Sequence, residues 1–351
     1  MCQPPAYDAG MPAANRYSAW FDGRLADWQI DADAPAPYID LNYFAAVFRE
    51  FEQLMPDSGL HVVATTALGD GLPATGPNVV VLCMGDEFVV PPAYSHEVRL
   101  VVKTLGGARR RPYVAVTHPR RWPALPMAVA QETVVQARRL PWLARSAQRS
   151  ITAHRRPAIL DVPIGIRAFE QSPAVPFAER QYDVAFAGSL VNEATEHKRR
   201  WQSQKLRARQ AFLDETERLQ ANRPDLSVWL RVVPTHWDGA SATRSYAAAL
   251  ADSRIVLCPR GSSLDTYRYF EALRAGCVPV YEMLPSRDYY NGAPGVRVGH
   301  WSQLPTVIDR MVSNPAGLLA QHHAALDWYI RWAAPAAVAQ RIADRLTRQP
   351  A

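Results

Sequence analysis

A chain of 351 residues has room for about two domains with cores of their own, and 48% hydrophobic with 21% charged residues is the make-up of a globular protein. No apolar run approaches the ~20 residues that a membrane-crossing helix needs. Residues 1–20 lack a basic-then-apolar secretory pattern, so a cytoplasmic protein is expected. The net charge of +6, with Arg gathered at 109–111, 120–121, 155–156 and 199–209, suits an anionic partner. Those clusters are scattered and carry no aromatic interleaving or helix-turn-helix pattern, so nucleic acid is the least favoured of the anions, behind an anionic membrane surface and an anionic substrate. Cys2, Cys83, Cys258 and Cys277 are dispersed, three of them in apolar segments, which predicts reduced thiols and no metal or disulfide.

In chain order, the first 35 residues are rich in Pro, Ala and Asp and read as irregular. Residues 43–55 (YFAAVFREFEQLM) carry apolar side chains at helical spacing. Short β-branched runs at 61–66, 78–85, 98–103 and 113–118 read as buried strands, and 128–150 as a helix broken at Pro141. The run 158–166 (AILDVPIGI) closes a first domain, 36–166, and the Pro-containing stretch 167–181 reads as a linker. Strands then alternate with helices: 182–189, a charged helix over 196–222, strand 226–234, helix 242–253, strand 254–259, helix 263–276 and strand 277–282. This second domain, 182–330, is followed by a C-terminal helix, 331–351. Alternation of this kind predicts right-handed βαβ units with parallel sheets, and hence two Rossmann-like α/β domains facing across a cleft.

Ligands of open parallel sheets bind beyond the carboxyl ends of the strands. At 254–265 (RIVLCPRGSSLD) a strand ends in a small-residue loop before a helix. Gly261 permits close backbone approach, and Arg260 adds a cation beside the helix N-terminus. Ser262, Ser263 and Asp265 read equally as helix caps or as anion ligands. Leu264, Tyr267, Phe270 and Leu273 form the expected core stripe, which leaves Arg268 and Glu271 on the other face. They read either as an exposed ion pair or as ligands, Arg268 for a diphosphate and Glu271 for two ribose hydroxyls. Gly276 is expected as a left-handed C-cap, and Pro279 is unusual inside a strand.

The stretch from Ser253 to Glu282 resembles the core motif of the exostosin-type glycosyltransferases through Ser253, Cys258, Pro259, Gly261, Arg268, Glu271, Ala272, Gly276, Cys277, Pro279 and Val280. "YDVAFAGSL" followed by "HKRR" is similar to that family's Phe-Ala-Gly strand end and downstream basic residue, and "VPIGI" resembles its Pro-Leu-Gly element, with Ile164 in place of Leu. The resemblance implies a GT-B fold with a nucleoside-diphosphate sugar donor in the second domain and a glycan or lipid-linked acceptor against the first. It also implies metal-independent, usually inverting transfer with no cofactor. Gly188, Ser189 and Arg199 or Arg200 would then lie beside the phosphates with Arg260, Gly261, Ser262, Ser263, Arg268 and Glu271. The Asp31-Ala32-Asp33 triplet lacks a flanking strand and is not expected to hold a metal.

Transfer needs a base for the acceptor hydroxyl. Asp86 and Glu87, directly after the apolar run at 78–85, are the candidates, ahead of Asp70 and His118. Two other readings are a fucosyltransferase-like enzyme, against which the absence of a Tyr-x-Thr-Glu-Lys stretch counts, and a nucleotide-sugar-binding subunit without catalysis.

Overall fold

The computed structural model describes residues 13–31, 41–69, 71–84, 92–105, 157–167, 174–189, 204–233, 240–261, 263–285 and 287–348, with isolated helical positions between 133 and 151. The strand expected at 113–118 and most of the helix expected at 128–150 lie outside the described residues.

The N-terminal segment corrects the sequence reading. Within the stretch expected to be irregular, β1 (Arg16–Phe21) and β2 (Arg24–Asp27) pair as an antiparallel hairpin. Asp22 and Gly23 connect them with φ of 51° and 73°. A tight hairpin turn of type I′ demands two positive φ values, and Asp-Gly supplies them. β1 runs parallel to β3 (His61–Thr65), and β4 (Gly76–Cys83), β5 (Val98–Lys103) and β6 (Ile159–Asp161) extend the sheet in the order β2-β1-β3-β4-β5-β6. Helix α1 (Leu41–Leu54) buries Tyr43, Phe44, Val47, Phe48 and Phe51.

Successive strand side chains point to opposite faces. Val62, Ala64, Val80, Leu82, Leu100 and Val102 enter the core shared with α1, while Val63, Val79, Val81 and Val101 form a separate cluster on the other face. Both faces are covered, which is why these strands read as continuous apolar runs.

The second sheet is wholly parallel: β7 (Tyr182–Ser189), β8 (Val228–Val233), β9 (Ser253–Cys258), β10 (Val278–Tyr281) and β11 (Val296–Arg297), in the order β11-β10-β9-β7-β8. Helix α2 (Gln204–Asn222) lies between β7 and β8, α3 (Ala240–Ala251) between β8 and β9, and α4 (Tyr267–Arg274) between β9 and β10. Pro279 is tolerated in β10 because its neighbour β11 pairs only with Val280 and Tyr281.

Helices α5 (Leu304–Val312), α6 (Pro315–Trp332) and α7 (Pro335–Thr347) end the described chain. Helix α7 leaves the second sheet and packs on α1. The Tyr43 hydroxyl donates to the Ala333 carbonyl at 2.7 Å, and Arg341 donates to the Asp161 carbonyl at 3.2 Å. One hydrophobic core therefore runs through both halves, from Phe44 and Phe48 to Tyr269, Phe270 and Ile342. Among the described residues no helix is long and apolar enough to cross a membrane.

Candidate functional site

The chain leaves β7 for β8 on one side and returns to β9 on the other, so the direction of strand succession reverses at β7. Such a reversal opens a crevice at the carboxyl ends of the two strands. The pairing shows the opening: β7 follows β8 as far as Ser189 opposite Val233, but its register with β9 stops at Ala185 opposite Val256. The carbonyls of the last β7 residues face a gap on the β9 side and take hydrogen bonds from arginines instead.

Arg268, on the first turn of α4, donates through Nε to the Ala187 carbonyl at 2.9 Å, and its Nη2 reaches the same oxygen. Its guanidinium lies over the Phe186 ring, 4.5 Å from the centroid, a contact that favours a cation. Arg209, from α2, donates through Nη1 to the Ser189 carbonyl and through Nε to the Arg260 carbonyl at 3.3 Å. Arg209 and Arg268 are 6% and 9% exposed, so two guanidinium groups are buried at one strand end, and Arg260, 6% exposed, lies just beyond β9. Burial, and then the neighbouring Arg268, push Arg209 down to about 9, which still leaves it protonated at neutral pH. Gly188 sits where it does because a Cβ there would occupy the place of the Arg268 guanidinium.

Of the residues singled out from sequence, the structure gathers Gly188, Ser189, Arg260, Gly261 and Arg268 at this crevice. Arg199, Arg200 and Ser262, and the base candidates Asp86 and Glu87, lie outside the described residues. Arg209 was missed, although its signal was present. Arg209, Phe212, Thr216 and Leu219 share the buried face of α2 at helical spacing, which places an arginine on an apolar stripe.

Two readings of the following helix are corrected. The N-cap of α4 is Thr266, without a side-chain capping bond, and not Ser262, Ser263 or Asp265. Ser263 Oγ accepts the Asp265 N–H at 3.1 Å. Asp265 is buried against Arg287 at 3.1 Å and accepts the Tyr290 hydroxyl at 2.5 Å. Nor does α4 expose its polar face: every residue from Arg268 to Leu273 is buried, because α4 is enclosed by its own sheet, by α3 and by α6. Arg268 and Glu271 accordingly make no exposed ion pair.

Glu271 is 7% exposed. Its Oε2 accepts the Tyr246 hydroxyl at 2.7 Å and its Oε1 accepts the Arg167 backbone N–H at 3.1 Å. Burial, reinforced by Glu271, raises the Tyr246 hydroxyl well above its ordinary value, so it stays a donor. Arg167 directly follows the "VPIGI" element, in which Gly165 has φ of 83° and packs so tightly on the Tyr43 ring that a Cβ would overlap it. The Arg167 guanidinium lies 5.0 Å from the Tyr267 ring centroid. Glu271 thus ties α4 to α3 and to the segment that leaves the first sheet.

Residues 176–344 match the family model described as RXYLT1 C-terminal domain, and this stretch contains β7 to β11 and all three arginines. Ribitol-5-phosphate xylosyltransferase 1 of Mus musculus is 24% identical over 177 residues, 43% of this chain and 36% of that protein. The same-named protein of Danio rerio is 29% identical over 122 residues, 31% of this chain and 27% of that protein. The chain therefore spans about a third of the length of the curated relatives it matches. Among solved structures, a glycosyltransferase from Rickettsia africae ESF-5 aligns over 96% of this chain and 100% of its own with 9% identity and a TM-score of 0.44. The avilamycin A biosynthesis glycosyltransferase AviGT4 aligns over 95% and 97% with 13% identity and a TM-score of 0.38. Structural likeness of that degree carries no argument about chemistry.

Proposed function

We propose that the chain is a glycosyltransferase of exostosin type that binds a nucleoside-diphosphate sugar at the crevice between β7 and β9. The sugar passes to a glycan or lipid-linked acceptor held against the first sheet, with inversion and without a divalent metal, in cell-surface polysaccharide or glycoconjugate synthesis. One observation carries the reading: the buried guanidinium groups of Arg209 and Arg268 both bond the end of β7, at the reversal of strand order. Among the described residues Arg209 and Arg268 have only main-chain carbonyls as hydrogen-bond partners and no carboxylate. Buried charge without a counter-charge is costly, and a diphosphate supplies what these cations lack. The same cations would stabilise the negative charge that grows on the leaving nucleoside diphosphate, a task otherwise given to a metal ion.

The match to the RXYLT1 C-terminal domain over 176–344 supports transfer chemistry in this half. Glu271 is the ribose ligand in this reading. A carboxylate offers roughly four lone-pair sites and can accept both hydroxyl hydrogens of a cis-diol. Asp86 or Glu87 would serve as the base. The name of the relatives makes a xylose-bearing donor the first to try and a phosphorylated acceptor a reasonable partner for a chain of charge +6. That charge also suits a lipid-linked acceptor at the anionic cytoplasmic face of a membrane.

Thermal unfolding against UDP-xylose and other UDP-, GDP-, CMP- and dTDP-sugars tests the reading. A ligand at about 100 times its Kd adds about 2.7 kcal/mol to the native state. One nucleotide series is expected to raise Tm, and transfer with that donor is expected to persist in EDTA. No shift from any nucleotide overturns the assignment, and loss in EDTA that Mn²⁺ reverses overturns its metal-free part.

A further inference from the structure

We propose that Arg209 is a positioning residue for this site: its guanidinium acts as a fork that fixes the separation of the β7 and β9 ends. The proposal rests on the donor-site reading and adds a residue that the motif resemblance does not contain. Once β7 and β9 stop pairing at Ala185 and Val256, no strand hydrogen bond holds Ser189 to Arg260. Arg209 replaces that bond with two of its own, Nη1 to the Ser189 carbonyl and Nε to the Arg260 carbonyl. Both donors belong to one rigid plane, so the two carbonyls are held at a spacing set by the guanidinium itself. The two backbone segments so held are the walls of the crevice, one carrying Gly188 and Ser189 and the other Arg260 and Gly261.

The fork is itself held. Arg209 shares the buried face of α2 with Phe212 and Leu219, which belong to the core on the outer face of the second sheet. Phe212 lies 4.4 Å from Phe186 and 5.3 Å from Trp301 between ring centroids. Helix α2 cannot slide without disturbing that packing, so the crevice width is transmitted from the core through one side chain. A lysine at the same place keeps the charge but has a single point-like head on a flexible stem and cannot hold both carbonyls at a fixed spacing.

The test measures binding of UDP and of GDP by calorimetry to the wild type, Arg209→Lys and Arg209→Ala, with thermal unfolding of each. Both variants are expected to weaken the nucleotide that the wild type binds by about tenfold or more, about 1.4 kcal/mol. Guanidinium ion added at millimolar concentration is expected to restore affinity to Arg209→Ala, and ammonium ion is not. Restoration by guanidinium is a readout that loss of fold cannot mimic, because guanidinium in excess destabilises folded protein. Wild-type affinity in Arg209→Lys, or equal rescue by ammonium, would show that charge alone matters and would overturn the fork. Loss of binding that guanidinium does not restore would assign Arg209 to general fold support and overturn it as well. If the wild type binds neither these nor any other nucleoside diphosphate, the donor-site reading fails and this proposal fails with it; wild-type binding unaffected by the variants sinks this proposal alone.

Discussion

Gly188 shows how narrowly the site is built at the level of single residues. Its lack of a side chain is what lets the Arg268 guanidinium lie across the Ala187 carbonyl. Gly188→Ala places a methyl group in that space and forces Arg268 off its carbonyl. We expect nucleotide affinity to fall by at least about tenfold and the fold to lose about 1–3 kcal/mol through overpacking. Calorimetric titration and thermal unfolding would measure the two effects, and an alanine variant that binds as the wild type does would remove Arg268 from the site. That Gly188, Arg260 and Arg268 would lie near the ends of β7 and β9 was legible because each sits in a short motif. Arg209 was not read because it lies inside a run of basic residues, where attention to charge hides helical spacing. Glu271 stood out in the sequence as a candidate ligand, but its burial was not legible there. Its partners, Tyr246 and the Arg167 N–H, come from 25 residues before it and from the other half of the chain, and sequence spacing carries no information about such contacts.

At the scale of elements, two glycines with similar backbone angles have different surroundings. Gly23, in the β1–β2 turn, has φ of 73° with open space about its Cβ position. Gly276, which follows α4, has φ of 68°, and a Cβ there would meet the His322 ring and Leu326. Alanine at Gly23 therefore pays only the left-handed backbone cost, about 1–2 kcal/mol, while alanine at Gly276 adds a steric conflict of about 1–3 kcal/mol. Urea unfolding of the two variants is expected to rank Gly276→Ala as clearly more destabilised, and equal losses would mean that the His322 contact yields freely. The parallel strands and their helices were legible because covered strands make unbroken apolar runs. The hairpin carried its own signal in Asp22-Gly23, but the Pro- and Ala-rich flanks outweighed it. The all-round burial of α4 was hidden for another reason. A helix with Arg268, Glu271 and Arg274 looks two-sided, but β7 and α3 cover Arg268 and Glu271 while Trp328 of α6, over 50 residues later in the chain, packs on Tyr269 and Phe270.

At the scale of the whole molecule, the loop before α4 is bound to the first sheet by a buried charge pair. Arg287 donates to the Thr104 carbonyl at 2.7 Å, just beyond β5, and pairs with Asp265 at 3.1 Å, with the two side chains 1% and 0% exposed. Burial raises the Asp265 carboxyl above its ordinary range, while Arg287 and the Tyr290 hydroxyl pull it back. Removing one partner of such a pair leaves an uncompensated charge in the interior, so Arg287→Met should cost about 3–5 kcal/mol near neutral pH. Without Arg287 the folded-state carboxyl rises further, and between its unfolded value and this raised value the native state binds more protons than the unfolded one. Stability of the variant therefore increases as pH falls through that window. The deficit relative to wild type should shrink from pH 7 towards pH 4, and the double variant Arg287→Met with Asp265→Asn should recover much of it at pH 7. Thermal unfolding of the three proteins across that range decides the matter. A deficit that does not change with pH would locate the cost in the lost Thr104 hydrogen bond, and the pair would then hold the two halves together through main-chain contact and not through charge.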